Sequence, residues 1–126
     1  MSCPLFLPAS PLAGFASEPS SLGDLYGGEC AAQPGALIPV DTLRRSCNAG
    51  YGRTVCEHAA QSDADAFRFL IKSHVDGVVQ VAWSSERSHH PVAVGTLPVS
   101  GSSDSADPLE RQALAFAAAY FRQNRI

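Results

Sequence analysis

The residues best equipped for chemistry in this chain are its four cysteines, Cys3, Cys30, Cys47 and Cys56, separated by 26, 16 and 8 residues. Four thiolates make a complete donor set for tetrahedral zinc or for a [4Fe–4S] cube. The two occupants ask for different spacing. Zinc sites usually draw cysteines in pairs only two to four residues apart on tight knuckles, and no such pair exists here. Clusters accept wider, irregular spacing, and Cys3-Pro4 is the kind of step found in ferredoxin-type cluster loops. The glycine-rich surroundings, "GGEC" and "CNAGYG", leave backbone N–H groups able to hydrogen-bond sulfide and thiolate. The expectation is a [4Fe–4S] cluster on Cys3, Cys30, Cys47 and Cys56, with Zn2+ as the alternative occupant. His58, which follows Cys56 closely, is a substitute ligand. Cys3 is the thiolate most easily dispensed with, since it lies at a terminus expected to fray. Cysteines also serve as small buried hydrophobes, but all four here lie in the region expected to hold least regular structure.

Other groups admit chemistry with less support. Glu86, His89 and His90 in "SSERSHH" form a set that suits acid–base work or a second metal, although polar residues at a hairpin tip are commonly just solvated. Cys56 with His58 has the residue types of a thiol nucleophile and its base; no local signature of a cysteine enzyme accompanies them. "GYGRT" lacks the lysine and second glycine spacing of a phosphate loop. No reaction is assigned, and a non-enzymatic role is the expectation.

The elements that must position the cysteines differ between the two halves of the 126-residue chain, whose length suits a single domain. Of 19 glycines and prolines, 13 precede residue 57, so regular structure should be scarce across 1–65. Its one predicted helix is short, capped by Asp41, running from Thr42 to Ser46 and ended by Asn48 or Gly50. Ordering such a segment costs roughly 1–2 kcal/mol per residue, which burial against the rest of the chain or a bound metal must offset.

Residues 66–126 read as regular structure. "AFRFLIK" alternates, Phe67, Phe69 and Ile71 sharing one face, and Val79, Val81 and Trp83 share parity in the next strand. A two-residue Asp76-Gly77 turn would put these sets on opposite faces. A three-residue Val75-Asp76-Gly77 loop instead pairs Ile71 with Val81 and Phe69 with Trp83. A third strand spans "HPVAVGTLPVS", confined to an edge or to two short pieces by Pro91 and Pro98. Asp107, Pro108 and Glu110 then open a helix, with Leu109, Ala113, Phe116, Ala117, Tyr120 and Phe121 as its apolar stripe. The fold class expected is α+β: a loop-rich, cysteine-bearing N-terminal half packed on a small antiparallel β-meander with a C-terminal α-helix.

Composition narrows the partners. The chain is 45% hydrophobic and 17% charged with a net charge of −3, which gives no basic footprint for nucleic acid. No apolar run reaches the roughly 20 residues that span a bilayer. "MSCPLFLPASPLAGF" lacks a positive leading region and is broken by Pro4, Pro8 and Pro11, so it reads as mature cytoplasmic protein rather than signal peptide. In that compartment clustered cysteines point to metal or redox chemistry rather than to disulfides.

"CPLFLP", the glycine-flanked Cys30, "CNAGYGRTVC" and "DAFRF" together resemble a family of small bacterial proteins of uncharacterised function. Its members carry "CPFFLP"-like, "CNxGYA"-like and "DAVRF"-like segments in the same order. The resemblance runs through most of the chain and implies that Cys3, Cys30, Cys47 and Cys56 act as one set; it implies no reaction. This chain departs from the pattern at Gly52, where the family has alanine, and at Glu57, where it has proline. The functional expectation is a small iron–sulfur protein with an electron-transfer or redox-sensing role toward a protein partner. Its alternative is a structural four-cysteine zinc module whose other half contacts a partner protein or a second copy.

Overall fold

The computed structural model describes residues 2–11, 22, 26–33, 35–51, 63–99 and 107–123. Alternating apolar residues drive the second half into three antiparallel strands in the order β3-β4-β5: β3 (Ala66–Val75), β4 (Val78–Arg87) and β5 (His90–Val99). β5 is an edge strand, as its two prolines require. Helix α2 (Pro108–Gln123) crosses one face of this sheet. Val79, Val81 and Val99 meet Ala113 and Ala117 there, and Phe69, Ile71, Leu97 and Phe116 pack around them. The α+β architecture expected from the periodicities is the one observed.

The β3–β4 register is Phe69 opposite Trp83 and Ile71 opposite Val81, yet the connecting loop is the shorter one. Val75 pairs with Val78, leaving Asp76 and Gly77 as a two-residue turn with φ of 53° and 77°. Both central residues are left-handed, as a twist-matched type I′ turn demands. The parity conflict is absorbed upstream: the register shifts between Ile71 and Ser73, so Lys72 is an extra, bulged residue.

The N-terminal half holds more regular structure than its glycines and prolines suggest. β1 (Phe6–Pro11) pairs antiparallel with β2 (Tyr26–Cys30) in a separate two-stranded sheet. The prolines sit in a strand pair with no third strand beside it among the described residues, where missing donors are tolerated. The predicted short helix begins earlier and ends later: α1 (Val40–Thr42) follows Pro39 and continues as a π turn, Leu43–Cys47. No side-chain cap bond is made at its start, so Asp41 lies inside the helix rather than capping it.

The N-terminus is docked rather than frayed. Ser2 exchanges both backbone hydrogen bonds with Phe67 at 2.9 and 2.7 Å, adding a bridge to the free edge of β3. Gly50 packs against this bridge with φ of 71°; a Cβ there would meet Ala66 Cβ at 2.7 Å. Only glycine satisfies both the backbone angle and the close approach.

Candidate functional site

Three of the four cysteines meet at one cavity. Cys3, Cys30 and Cys47, drawn from segments far apart in sequence, line a space of about 140 Å³ together with Phe6, Ile38 and Ser46. No disulfide joins them to one another. Cys3 and Cys47 are buried, and Cys30 is partly so. Cys56 and His58 lie outside the described residues. Among the described residues, no set of three or more histidine, cysteine, aspartate and glutamate side chains could hold a metal ion.

Each of these three described cysteines sits at a change of chain direction. Cys3 opens the β-turn Cys3-Pro4-Leu5-Phe6, closed by Phe6 N–H donating to the Cys3 carbonyl at 3.1 Å. Pro4 at the second position is pre-set for this turn. Cys30 ends β2 and starts a second turn, its carbonyl accepting from Gln33 N–H at 3.0 Å. Cys47 ends the π turn, and its carbonyl accepts from Cys3 N–H at 3.0 Å. That bond ties the first cysteine segment directly to the third.

Two buried amide side chains hold these segments in place. Gln112, wholly buried on α2, donates Nε2 to the Cys3 carbonyl at 2.7 Å and to the Phe6 carbonyl at 2.8 Å. Its Oε1 accepts from Ser2 Oγ. It thus spans both ends of the "CPLF" turn. Asn48 accepts Tyr26 N–H at 3.0 Å and donates Nδ2 to the Tyr26 and Leu43 carbonyls at 2.9 Å each. Leu43 O also takes Asn48 N–H at 2.9 Å, the five-residue step that makes the turn π rather than α. Asn48 therefore fixes β2, which carries Cys30, against the segment that carries Cys47. The sequence marked Asn48 as an end of the short helix, where it does stand, but not its bonds to Tyr26; Gln112 carried no signal, because an isolated Gln shows nothing until its partners are known.

Ser46 is the unusual member of the cavity wall. It is 2% exposed, and its hydroxyl has no hydrogen-bond partner among the described residues. A buried, unsatisfied polar group costs about 1–3 kcal/mol. Helical serines commonly relieve this by bonding a carbonyl one turn back, and this one does not.

The other candidate set is resolved differently. Glu86 is buried rather than solvated at a hairpin tip. Tyr51 OH donates to its Oε1 and Arg68 Nε to its Oε2, each at 2.5 Å. These bonds, Arg68 first, hold the Glu86 carboxyl below its ordinary value, while burial and the facing carboxylate push the Tyr51 phenol up. His89 stacks on Tyr51 with ring centroids 4.4 Å apart and donates its backbone N–H to the Tyr51 hydroxyl at 3.1 Å. His90, the first residue of β5, is exposed. Both Glu86 oxygens are engaged in a latch that fixes the chain just beyond Cys47 to the sheet. His74, near the β3–β4 turn, is exposed, with Nδ1 3.1 Å from Tyr120 OH.

No family model, curated protein or solved structure matches this chain. No described helix is long and apolar enough to cross a membrane.

Proposed function

We propose that this protein binds a [4Fe–4S] cluster on Cys3, Cys30, Cys47 and Cys56 and serves as a one-electron redox module for a protein partner. The observation that carries the reading is the convergence of Cys3, Cys30 and Cys47 on one cavity. Cys3 and Cys47 also belong to the hydrophobic cluster around Phe6 and Leu43, so what supports the reading beyond ordinary burial is Cys30 on the same wall.

Four cysteine thiolates are a complete donor set for a [4Fe–4S] cube, and their wide, irregular spacing in the sequence differs from the close pairs of zinc knuckles. The cavity, about 140 Å³, is several times the roughly 30 Å³ that a water molecule occupies in the liquid. The bound cluster would supply a reversible one-electron couple. The chain's own residues hold the three turns (Gln112 and Asn48), line the cavity with apolar groups (Phe6, Ile38) and leave Leu37 on its wall 99% exposed. An exposed wall residue means a short path between the cavity and a docked partner.

Anaerobic purification, with iron and sulfide analysis and a visible spectrum, tests the reading. The expected result is brown protein with about four irons per chain, bleached by dithionite. Colourless protein carrying one zinc would overturn the redox role and leave the structural zinc module. Cys30→Ser and Cys47→Ser should each lose the colour; full retention in both would remove these residues as ligands.

A further inference from the structure

We propose that Cys3 and Cys47 are a redox-sensitive pair, joined by a disulfide when the metal-free chain meets a peroxide. The inference stands on two described cysteines alone and goes beyond the iron–sulfur reading, which it neither needs nor excludes.

The pairing follows from backbone geometry. Cys3 N–H donates to the Cys47 carbonyl at 3.0 Å. A bond of this kind between neighbouring segments leaves the two Cα atoms about 5.5 Å apart, inside the range of about 4.4–6.8 Å that a disulfide spans. Both residues belong to one buried cluster with Phe6 and Leu43, and both line the cavity of about 140 Å³. They are buried and not disulfide-bonded. Their two segments are held in place independently. Gln112 braces the Cys3 carbonyl, and Asn48 pins the π turn that ends at Cys47. Cys30 lines the cavity as well, but its carbonyl bonds Gln33 and its strand partner is Phe6. Among the described residues, only Cys3 and Cys47 are tied to each other directly.

Access decides the oxidant. Two buried thiols are closed to a bulky disulfide reagent, whereas a cavity several times the volume of a water molecule admits hydrogen peroxide. One thiolate attacks a peroxide oxygen, the O–O bond breaks, and a sulfenic acid and water form. The second thiolate then attacks the sulfenic sulfur; the S–S bond forms and a second water leaves. Two electrons pass from the sulfurs to the peroxide, and both thiol protons leave in the two waters. The oxidised chain no longer offers Cys3 and Cys47 as metal ligands.

The experiment treats metal-free, full-length protein with hydrogen peroxide, alkylates the remaining thiols and maps the peptides by mass spectrometry. Cleavage after Glu18, Glu29, Arg45 and Arg53 places the four cysteines on separate peptides. The expected result is a fall from four thiols to two, one linked pair of peptides carrying Cys3 and Cys47, and its reversal by dithiothreitol. Cys30→Ser should keep the link. A link from either residue to Cys30 or Cys56 in its place, or sulfenic and sulfonic acids with no link, overturns the inference. Iron content, measured on separately prepared anaerobic protein, keeps the two readings apart. Iron-bearing protein whose metal-free form gives no link overturns this inference alone; a Cys3–Cys47 link in protein that never binds iron supports it and overturns the cluster.

Discussion

Replacing Gln112 by leucine keeps the side-chain volume nearly constant and removes every polar contact it makes, so it isolates what the buried amide contributes. The Cys3 and Phe6 carbonyls each lose a donor at 2.7 and 2.8 Å, and Ser2 Oγ loses its acceptor. The Cys3 carbonyl keeps its turn bond from Phe6 N–H, so the groups left orphaned are the Phe6 carbonyl and the buried Ser2 hydroxyl; at about 1–3 kcal/mol each they give a loss of about 2–6 kcal/mol. A domain of this size holds in all about 6–19 kcal/mol, at about 0.05–0.15 kcal/mol per residue, so the change is large. Urea denaturation of the metal-free protein measures it, with the slope checked for constancy so that the midpoint reports stability alone. A loss under about 1 kcal/mol would mean that the turn carbonyls find other donors, and would refute the role assigned to Gln112. Gln112→Glu adds a sign test. Ionised, that carboxylate faces two carbonyl oxygens and has no proton to donate; protonated, it can donate to one of them. Its folded pKa is therefore raised above the unfolded value of about 4.3. The folded state binds more protons in that window, so the stability gap to wild type is smallest below about pH 4 and widens as pH rises. A gap that narrows with rising pH would contradict the geometry.

Other perturbations probe the supports of the same site. Glu86→Gln should cost about 1–3 kcal/mol at neutral pH by weakening two charge-assisted bonds. Because the Glu86 carboxyl is held below its ordinary 4.5, its contribution is complete above that pH and is lost as pH falls through the depressed folded value; urea midpoints of the two proteins should converge in acid. Asn48→Ala removes three buried hydrogen bonds and should lower stability by about 2–4 kcal/mol, with faster hydrogen exchange at the Tyr26 amide; unchanged exchange there would refute the clamp. Gly28→Ala would place a Cβ 2.0 Å from the Leu7 carbonyl oxygen, forcing β1 and β2 apart at a cost of about 1–3 kcal/mol. Cys30 should then react faster with a thiol reagent than in wild type.

What the sequence disclosed follows the range of the forces involved. Helix α2 begins at Pro108, as Asp107 and Pro108 announce, because capping is local chemistry read within a few residues. The pairing of Phe69 with Trp83 and Ile71 with Val81 followed from parity. The loop did not, because the compensating bulge falls at Lys72, an exposed residue whose type is equally at home in a regular strand. β1 and β2 were hidden by prolines and glycines that exclude a central strand but not an isolated pair. Cysteine spacing pointed to a shared site, but not to the hydrogen bonds by which Gln112 and Asn48 brace it. Those roles exist only through partners up to 110 residues away, which no local pattern encodes. Glu86 was noticed for its neighbours His89 and His90, whereas its contacts are with Tyr51 and Arg68.

The bond from Gln112 to the Cys3 carbonyl spans 109 residues and so sets a clock. At about 5–20 residues per second, a ribosome needs about 5–20 s after making Cys3 before the residue that braces its turn exists. Throughout that interval the first cysteines are separate thiols on an unfinished chain, without the cavity that later groups them. The cavity that groups Cys3, Cys30 and Cys47 therefore takes its final form only after residue 112 has been made and α2 docks.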